Sequence, residues 1–356
     1  MNSESMPTSA AGPSTAGAGV AGGTDAANGL PTDDRAADGG SRARLQRHAR
    51  PGVFARMAQV LEMIKVQHTV FALPFALMAA LTAAGGWRAL EHEWRRLLLV
   101  VVAVLGARSA AMAFNRLADA EQDATNPRTA GRHIPAGLVS RGFALAFTVA
   151  ALGVFGVAAW LLNPLCLYGA PIVAVVLLGY SYSKRFTWLC HWWLGASLGL
   201  APIGAWAAMR GNFTPLAGGV SARLGVPVEL FPIVLGAAVM VWTAGFDLLY
   251  ACQDFEFDAS RPELHSGPKR FGLRAALKLA RGMHLLAAAL LAAAAWLGGF
   301  GAVVWAGLAI AGGLMVYEHR LVRPDDLTRI EAAFFMVNGA ISLILFAAVA
   351  VQFALK

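Results

Sequence analysis

The feature that most constrains this chain is a succession of apolar runs, each about as long as a bilayer is thick. They lie near residues 66–86, 97–115, 142–162, 165–183, 189–209, 231–251, 276–297, 300–317 and 331–353. A helix needs roughly 20 apolar residues, within a range of about 17–25, to cross the hydrocarbon core. The runs are continuous rather than alternating, which excludes a membrane barrel. Lipid offers no partner for open backbone groups, so each run is expected to be a helix. Asn163-Pro164 splits one long stretch into two spans, and Gly298-Gly299-Phe300-Gly301 makes a tight hairpin between two others. The expected fold class is an all-α integral membrane protein with nine transmembrane helices. Composition agrees: 57% of residues are hydrophobic and 14% charged, against about 25% charged in a soluble domain.

Charge sets the topology. The formal charge of +8 is spread over loops between apolar runs, so it reads as membrane orientation and no nucleic-acid partner is expected. If the N-terminus and the loops after spans two, four, six and eight share one side, that side holds 22 of the 29 Lys and Arg residues. The opposite side holds Arg88, Arg95, Arg96, Arg210, Arg223 and Lys356, and Arg108 lies inside the second span. The basic side is expected to be cytoplasmic. Residues 1–50 are rich in Ala, Gly, Ser, Thr and Asp and end in a basic run through Arg56. They carry too little apolar surface to offset ordering entropy, so a disordered tail is expected, with 51–356 as the membrane domain. It lacks the n-region and h-region of a secretory signal. Cys166, Cys190 and Cys252 match no metal spacing and read as packing residues.

Two acidic motifs carry the chemistry. One is Asn115-x3-Asp119-x3-Asp123, the other Tyr250-x3-Asp254-x3-Asp258, each at the end of an apolar run. Residues four apart share a helix face, so each motif is a ladder of oxygen ligands at the membrane edge. Two facing acidic clusters repel and raise each other's pKa values unless cations bridge them. Mg²⁺ binds through a few carboxylates plus phosphate oxygens, so a diphosphate is the natural ligand. Asp247 and Gln253 adjoin the second ladder. The basic residues Arg128, Arg132, Lys184, Arg185, Lys269 and Arg270 surround the two ladders and are candidate phosphate clamps. Arg108 lies two turns before Asn115 on the same helix face, and an intramembrane charge is a functional candidate by default. Lys65 and His68 open the first span. His191 and His284 read as structural.

At these residues the chain resembles the UbiA superfamily of intramembrane prenyltransferases, in its 4-hydroxybenzoate polyprenyltransferase-like branch. The resemblance runs from about residue 55 to the end. It rests on both acidic motifs and on IKVQHTVFALPFA (64–76), NPRTAGRHIPAG (126–137), YSYSKRFTWLCHWWLG (180–195), LAPIGAW (200–206) and YEHRLVRPDDLTRIEAAFFMVNG (317–339). Two departures stand out. Arg116 follows Asn115 where many members have an acid, and Pro262 stands where a Gly-type turn is expected.

The resemblance implies helices around a central cavity, with the acidic motifs at the cytoplasmic ends of helices 2 and 6, in a bacterial inner membrane. It implies Mg²⁺ on Asn115, Asp119, Asp254 and Asp258, with Asp123, a further candidate metal residue, and Asp247 supporting, and a polyprenyl diphosphate donor. Asp119, Asp254 and Arg108 are the expected catalytic residues. Arg108, Arg128, Arg132, Tyr250, Lys184, Lys269 and Asp247 are the expected substrate contacts. Phe114, Tyr180 and Trp206 are candidates to flank an allylic cation. The aromatic acceptor is 4-hydroxybenzoate, for ubiquinone, or a dihydroxynaphthoate of the futalosine branch of menaquinone synthesis. A multi-span transporter is the alternative of another class. It would place ionisable residues near the midplane within an inverted repeat, whereas these acids gather at one membrane face.

Overall fold

The computed structural model describes residues 66–213 and 229–356, together with 59, 62–63 and 225. The expected tail at 1–50, the basic residue Arg56, Lys65, Arg223 and the His68 side chain lie outside this description. Among the described residues the regular structure is helical, joined by turns and loops, with one isolated bridge pair between Arg323 and Asp326. The long helices are α1 (Leu73–Ala84), α2 (Trp94–Ala118), α3 (Arg141–Leu162), α4 (Pro164–Ser183), α5 (Cys190–Arg210), α6 (Leu230–Ala251), α7 (Leu273–Leu297), α8 (Ala302–Leu321) and α9 (Asn338–Ala354).

Helix ends follow local chemistry. Gly85, at φ +87°, ends α1 in the left-handed conformation that glycine adopts without strain. Asn163 is extended and its side chain accepts a hydrogen bond from Cys166 N, while Pro164 occupies the first turn of α4. That is the break expected from Asn163-Pro164. Gly299, at φ +64°, turns the chain between α7 and α8. Pro262 sits inside a turn closed by Leu264 N donating to Arg261 O at 3.2 Å. Proline's fixed φ suits the second position of such a turn, so the expected glycine is dispensable.

Seven helical stretches among the described residues are long and apolar enough to cross a membrane: α2, α3, α4, α6 with its extension to Ser260, α7, α8, and Ile330–Ala354 containing α9. Nine runs are expected from sequence. The first is a shorter apolar helix, Thr69–Ala84. α5 has 21 residues, but His191, Pro202 and interspersed Gly and Trp dilute its hydropathy. Burial sorts the helices: the most apolar stretch of α6 is 67% buried, that of α4 only 11%. α4 and α3 turn residues such as Ile172, Val175, Val149 and Trp160 outward, as lipid contact requires. α6 is the hub, with Phe231, Trp242 and Phe246 buried among α1, α5 and α7.

Small residues let α5 approach α6. A Cβ on Gly195 would fall on the Met240 carbonyl oxygen, and one on Gly199 would lie 2.5 Å from the Gly236 carbonyl oxygen. This Gly-x3-Gly spacing permits backbone-to-backbone contact of helices in lipid. It anchors α5, which carries His191, directly to α6, which carries Asp247 and Tyr250.

Candidate active site

The two acidic ladders bend at equivalent residues. α2 ends at Ala118 and a short helix, Ala120–Thr125, follows. α6 ends at Ala251, followed by a 3₁₀ turn, Cys252–Asp254, and a helix, Phe255–Ser260. Asp119 (φ −92°, ψ 2°) and Asp254 (φ −94°, ψ 9°) share one backbone conformation in the sparsely allowed bridge region. Asp119 N still donates to Asn115 O at 2.9 Å and Asp123 N to Asp119 O at 2.8 Å. The i,i+4 stagger inferred from spacing therefore survives the bend.

Both motifs border one cavity of about 640 Å³. Of the expected residues, its walls include Arg108, Asn115, Asp119, Asp123, Arg128, Arg132, Lys184, Asp247, Tyr250 and Asp254. Arg116, Tyr180, Arg185 and His191 also line it. A second, apolar chamber of about 340 Å³ runs between α2, α3, α4 and α5. Arg108, Met112, Asn115, Tyr180, Leu194 and Leu198 line both spaces. Polar chamber and apolar chamber thus adjoin.

Each ladder aspartate faces a cation. Arg132 Nη1 donates to both oxygens of Asp123, at 2.6 and 2.8 Å. Arg128 grips Asp254 with Nε at 3.0 Å and Nη2 at 2.6 Å, a bidentate fork, and donates through Nη1 to the Tyr250 hydroxyl at 3.3 Å. Lys184 Nζ lies 2.7 Å from Asp258, which is fully buried. Arg185 Nη2 lies 3.7 Å from Asp119 and donates to Ala118 O at 2.5 Å. Asn115 Nδ2 donates to Asp119 at 2.9 Å. Among the described residues no three acidic, His or Cys groups converge at metal distance. The acids are spread around the cavity and balanced one by one.

This balance shows in the titration of groups beyond the spans. Burial, and then the neighbouring Asp123, push the Asp119 carboxyl up to about 6, against the pull of Arg185, Arg116 and Lys184. Burial lowers Arg128, but its bonds to Asp254 outweigh this and the net shift is upward. Lys184 behaves likewise, burial opposed and outweighed by Asp258.

Three expected site residues, Lys269, Asp258 and Trp206, do not line the cavity. Lys269 does not line the cavity: its ammonium donates to the carbonyls of Arg261 at 2.5 Å and Leu264 at 2.7 Å. It secures the loop after the second motif, because two carbonyls of a nearby turn accept from its ammonium. Asp258 is fully buried off the cavity wall and pairs with Lys184, which lines it. Trp206 is buried in the core against Phe231 and lines neither space. Phe114 packs edge-on against Tyr182.

Sequence reasoning missed two residues. Asn126 Nδ2 donates to Asp254 at 3.1 Å, a bond across 128 positions. His191 Nε2 accepts the Gly267 N–H at 3.1 Å, so its proton sits on Nδ1 and is donated to Asp247 at 2.7 Å. His191 thus bridges the Gly267 backbone and the Asp247 carboxylate. Its one sequence signal was position, a histidine two residues past the start of an apolar run.

The donor set is oxygen-rich. Asn115, Asp119, Asp123 and Asp254 share the cavity, which suits a hard cation such as Mg²⁺ better than Zn²⁺. The residues present therefore fit a Mg²⁺ site completed by ligand oxygens.

Comparison with known proteins agrees with this geometry. The chain is 30% identical over 311 residues to a 4-hydroxybenzoate octaprenyltransferase of Cupriavidus necator, covering 86% of this chain and 99% of the relative. It is 30% identical to a protein of the same name from Nitrosococcus oceani, covering 80% and 92%. Among solved structures it resembles the apo UbiA homologue of Aeropyrum pernix, with TM-score 0.68, 33% identity, and 80% and 97% coverage. An Archaeoglobus fulgidus UbiA homologue bound to DMAPP and Mg²⁺ shares the fold at TM-score 0.60 and 15% identity, covering 84% and 100%. The model of the UbiA prenyltransferase family matches residues 72–339, from α1 through the start of α9. With two bent acidic motifs on one cavity, an adjoining apolar chamber and membrane-length helices, this chain belongs to the UbiA prenyltransferase family, as an integral membrane protein.

Proposed function

We propose that the protein transfers a polyprenyl group from a polyprenyl diphosphate to 4-hydroxybenzoate in respiratory quinone biosynthesis. One observation carries this reading: a charge-balanced polar cavity bearing both acidic motifs adjoins an apolar chamber through six shared residues. One end suits a diphosphate, the other a hydrocarbon chain. The relatives named for 4-hydroxybenzoate prenylation support the acceptor. α1 and α5 bring the spans to nine. The basic loops face the cytoplasm of a bacterial inner membrane, so both motifs open there.

Asn115, Asp119 and Asp254 hold Mg²⁺, with Asp123 and Asp258 on adjoining turns, and bound Mg²⁺ supplies charge neutralisation for the departing diphosphate. Arg128, Arg132, Lys184 and Arg185 exchange their carboxylates for phosphate oxygens, which suit the same donors. The apolar chamber keeps water from the allylic cation left when the carbon–oxygen bond to diphosphate breaks. Tyr180, shared by the two spaces, presents its ring to that cation. Arg108 has a buried Nε without a hydrogen-bond partner. It binds the acceptor carboxylate, because a buried guanidinium needs an anion. A ring carbon ortho to the phenol forms the new carbon–carbon bond, and its proton passes to the Asp247 oxygen not held by His191.

Product analysis tests this. Membranes containing the protein receive Mg²⁺, a polyprenyl diphosphate and either 4-hydroxybenzoate or a dihydroxynaphthoate. The expected product is prenylated 4-hydroxybenzoate, lost on chelation and in Asp119→Ala. Prenylation of the naphthoate alone would overturn the acceptor, and no Mg²⁺-dependent product from either acid would overturn the reaction.

A further inference from the structure

A second polar cluster lies apart from the acidic motifs, buried among α7, α8 and α9. Glu318 on α8 is 1% exposed and Asn338, the first residue of α9, is 0% exposed. Asn338 Nδ2 donates to Glu318 Oε1 at 2.7 Å. The same nitrogen lies 3.3 Å from both the Ala333 and Phe334 carbonyls. Those carbonyls belong to a single π-helical turn, Ala333–Val337. A widened turn takes carbonyls out of the regular i→i+4 ladder, and a side-chain amide here meets two of them. Such turns concentrate at functional sites. His284 on α7 extends the cluster, with Nδ1 at 3.5 Å from Glu318 and 3.0 Å from His319 Nε2. A buried carboxylate between membrane helices is costly and calls for a role.

The turn aims an aromatic residue at the cavity. Phe334 lines it and meets the Tyr250 ring at 4.4 Å, tilted 36°. It also packs against Phe71 at 5.4 Å and Phe246 at 5.3 Å. Tyr250 in turn meets the guanidinium of Arg128, whose centre lies 5.6 Å from the ring, and Arg128 forks onto Asp254. A continuous line of contacts therefore joins Glu318 and Asn338 to the second acidic motif.

We propose that Glu318 and Asn338 are positioning residues for diphosphate binding. Their hydrogen bond holds the π-turn, the turn seats Phe334 on Tyr250, and Tyr250 fixes the plane in which Arg128 presents its fork. Neither residue touches the substrate. The inference rests on the reading of the cavity as a prenyl diphosphate site.

The test uses the full-length protein in detergent or nanodiscs, with Mg²⁺, geranyl diphosphate and 4-hydroxybenzoate. Asn338→Leu is expected to raise KM for geranyl diphosphate about tenfold while kcat changes less than about threefold, within the range of supporting-residue effects. KM for 4-hydroxybenzoate is expected to stay at the parent value. Phe334→Leu is expected to do the same, and the double variant no more than either alone. Glu318→Leu is expected to raise KM likewise, and Glu318→Gln, which keeps the accepting oxygen, to restore most of it. If Asn338→Leu does not fold, Glu318→Leu replaces it in the same cycle with Phe334→Leu. A lowered melting temperature with unchanged KM, or additive effects in the cycle, would overturn the proposal. A parent that binds no geranyl diphosphate would overturn the site reading, and this inference with it. A parent that binds it beside variants of equal affinity would overturn this inference alone.

Discussion

Asp119 occupies the C-terminus of α2, with its carboxyl pushed up to about 6 by burial and by Asp123. Relative to its ordinary value of 3.8, the folded chain holds this proton more tightly than the unfolded chain. Without metal, Asp119 therefore makes stability fall as pH rises from about 4 to about 6. Mg²⁺ held by Asp119 as proposed would displace the same proton. The concentration of Mg²⁺ giving half-maximal activity is expected to be flat above pH 6 and to rise about tenfold per pH unit below it. Mg²⁺ titrations of product formation between about pH 5 and 8 measure this. Asp119→Asn is expected to remove the inflection and to cut turnover by a factor of about 10² or more. A Mg²⁺ requirement independent of pH would remove Asp119 from the metal site. At this scale spacing located the acids, but it did not reveal that each is matched to a cation. Arg128 reaches Asp254 across 126 positions, and only the folded chain makes them neighbours. Lys269 shows the converse. Its sequence position matched that of a phosphate clamp, yet nearby carbonyls claim its ammonium.

At the scale of helices, α5 and α6 approach closely, and both carry residues of the cavity. Gly195 has no room for a side chain, since its Cβ would meet the Met240 carbonyl oxygen. Gly195→Ala is expected to lower stability by about 1–3 kcal/mol through overpacking. Gly282 on α7 has nothing within 4 Å of its Cβ position. Gly282→Ala is expected to be neutral or to stabilise by up to about 1 kcal/mol. Thermal unfolding of the two variants side by side distinguishes packing from helix propensity. Equal effects would mean that the α5–α6 approach is not tight. The helices themselves were largely legible, because lipid leaves the backbone no alternative and Asn163-Pro164 and Gly299 mark their ends. The bends at Asp119 and Asp254 were not. Both acidic motifs fit an unbroken helix by period alone, and the break at each middle aspartate is visible only in the backbone of the folded chain.

At the scale of the molecule, ligand and stability are linked. The acids and bases of the cavity are paired across the two motifs only in the folded chain, so a ligand that needs both binds the folded state alone. Mg²⁺ together with geranyl diphosphate, at about 100 times its Kd, is expected to add roughly 2.7 kcal/mol to stability. The melting temperature in nanodiscs should rise accordingly, fall back on chelation, and respond only weakly to Mg²⁺ alone. A melting temperature unmoved by the pair would separate the acidic motifs from diphosphate binding. The sequence by itself determined that this is a helical membrane protein with two oxygen-donor motifs at the ends of apolar helices. Apolar run length and i,i+4 spacing are local properties, and lipid enforces them span by span. Only the tertiary structure decided which base meets which acid, that His191 bonds Asp247, that Asp258 pairs with Lys184 away from the cavity wall, and that Asn338 bonds Glu318 and two carbonyls of the π-turn. Those relations join residues far apart in the chain, and helix packing through glycine contacts and buried polar bonds sets them.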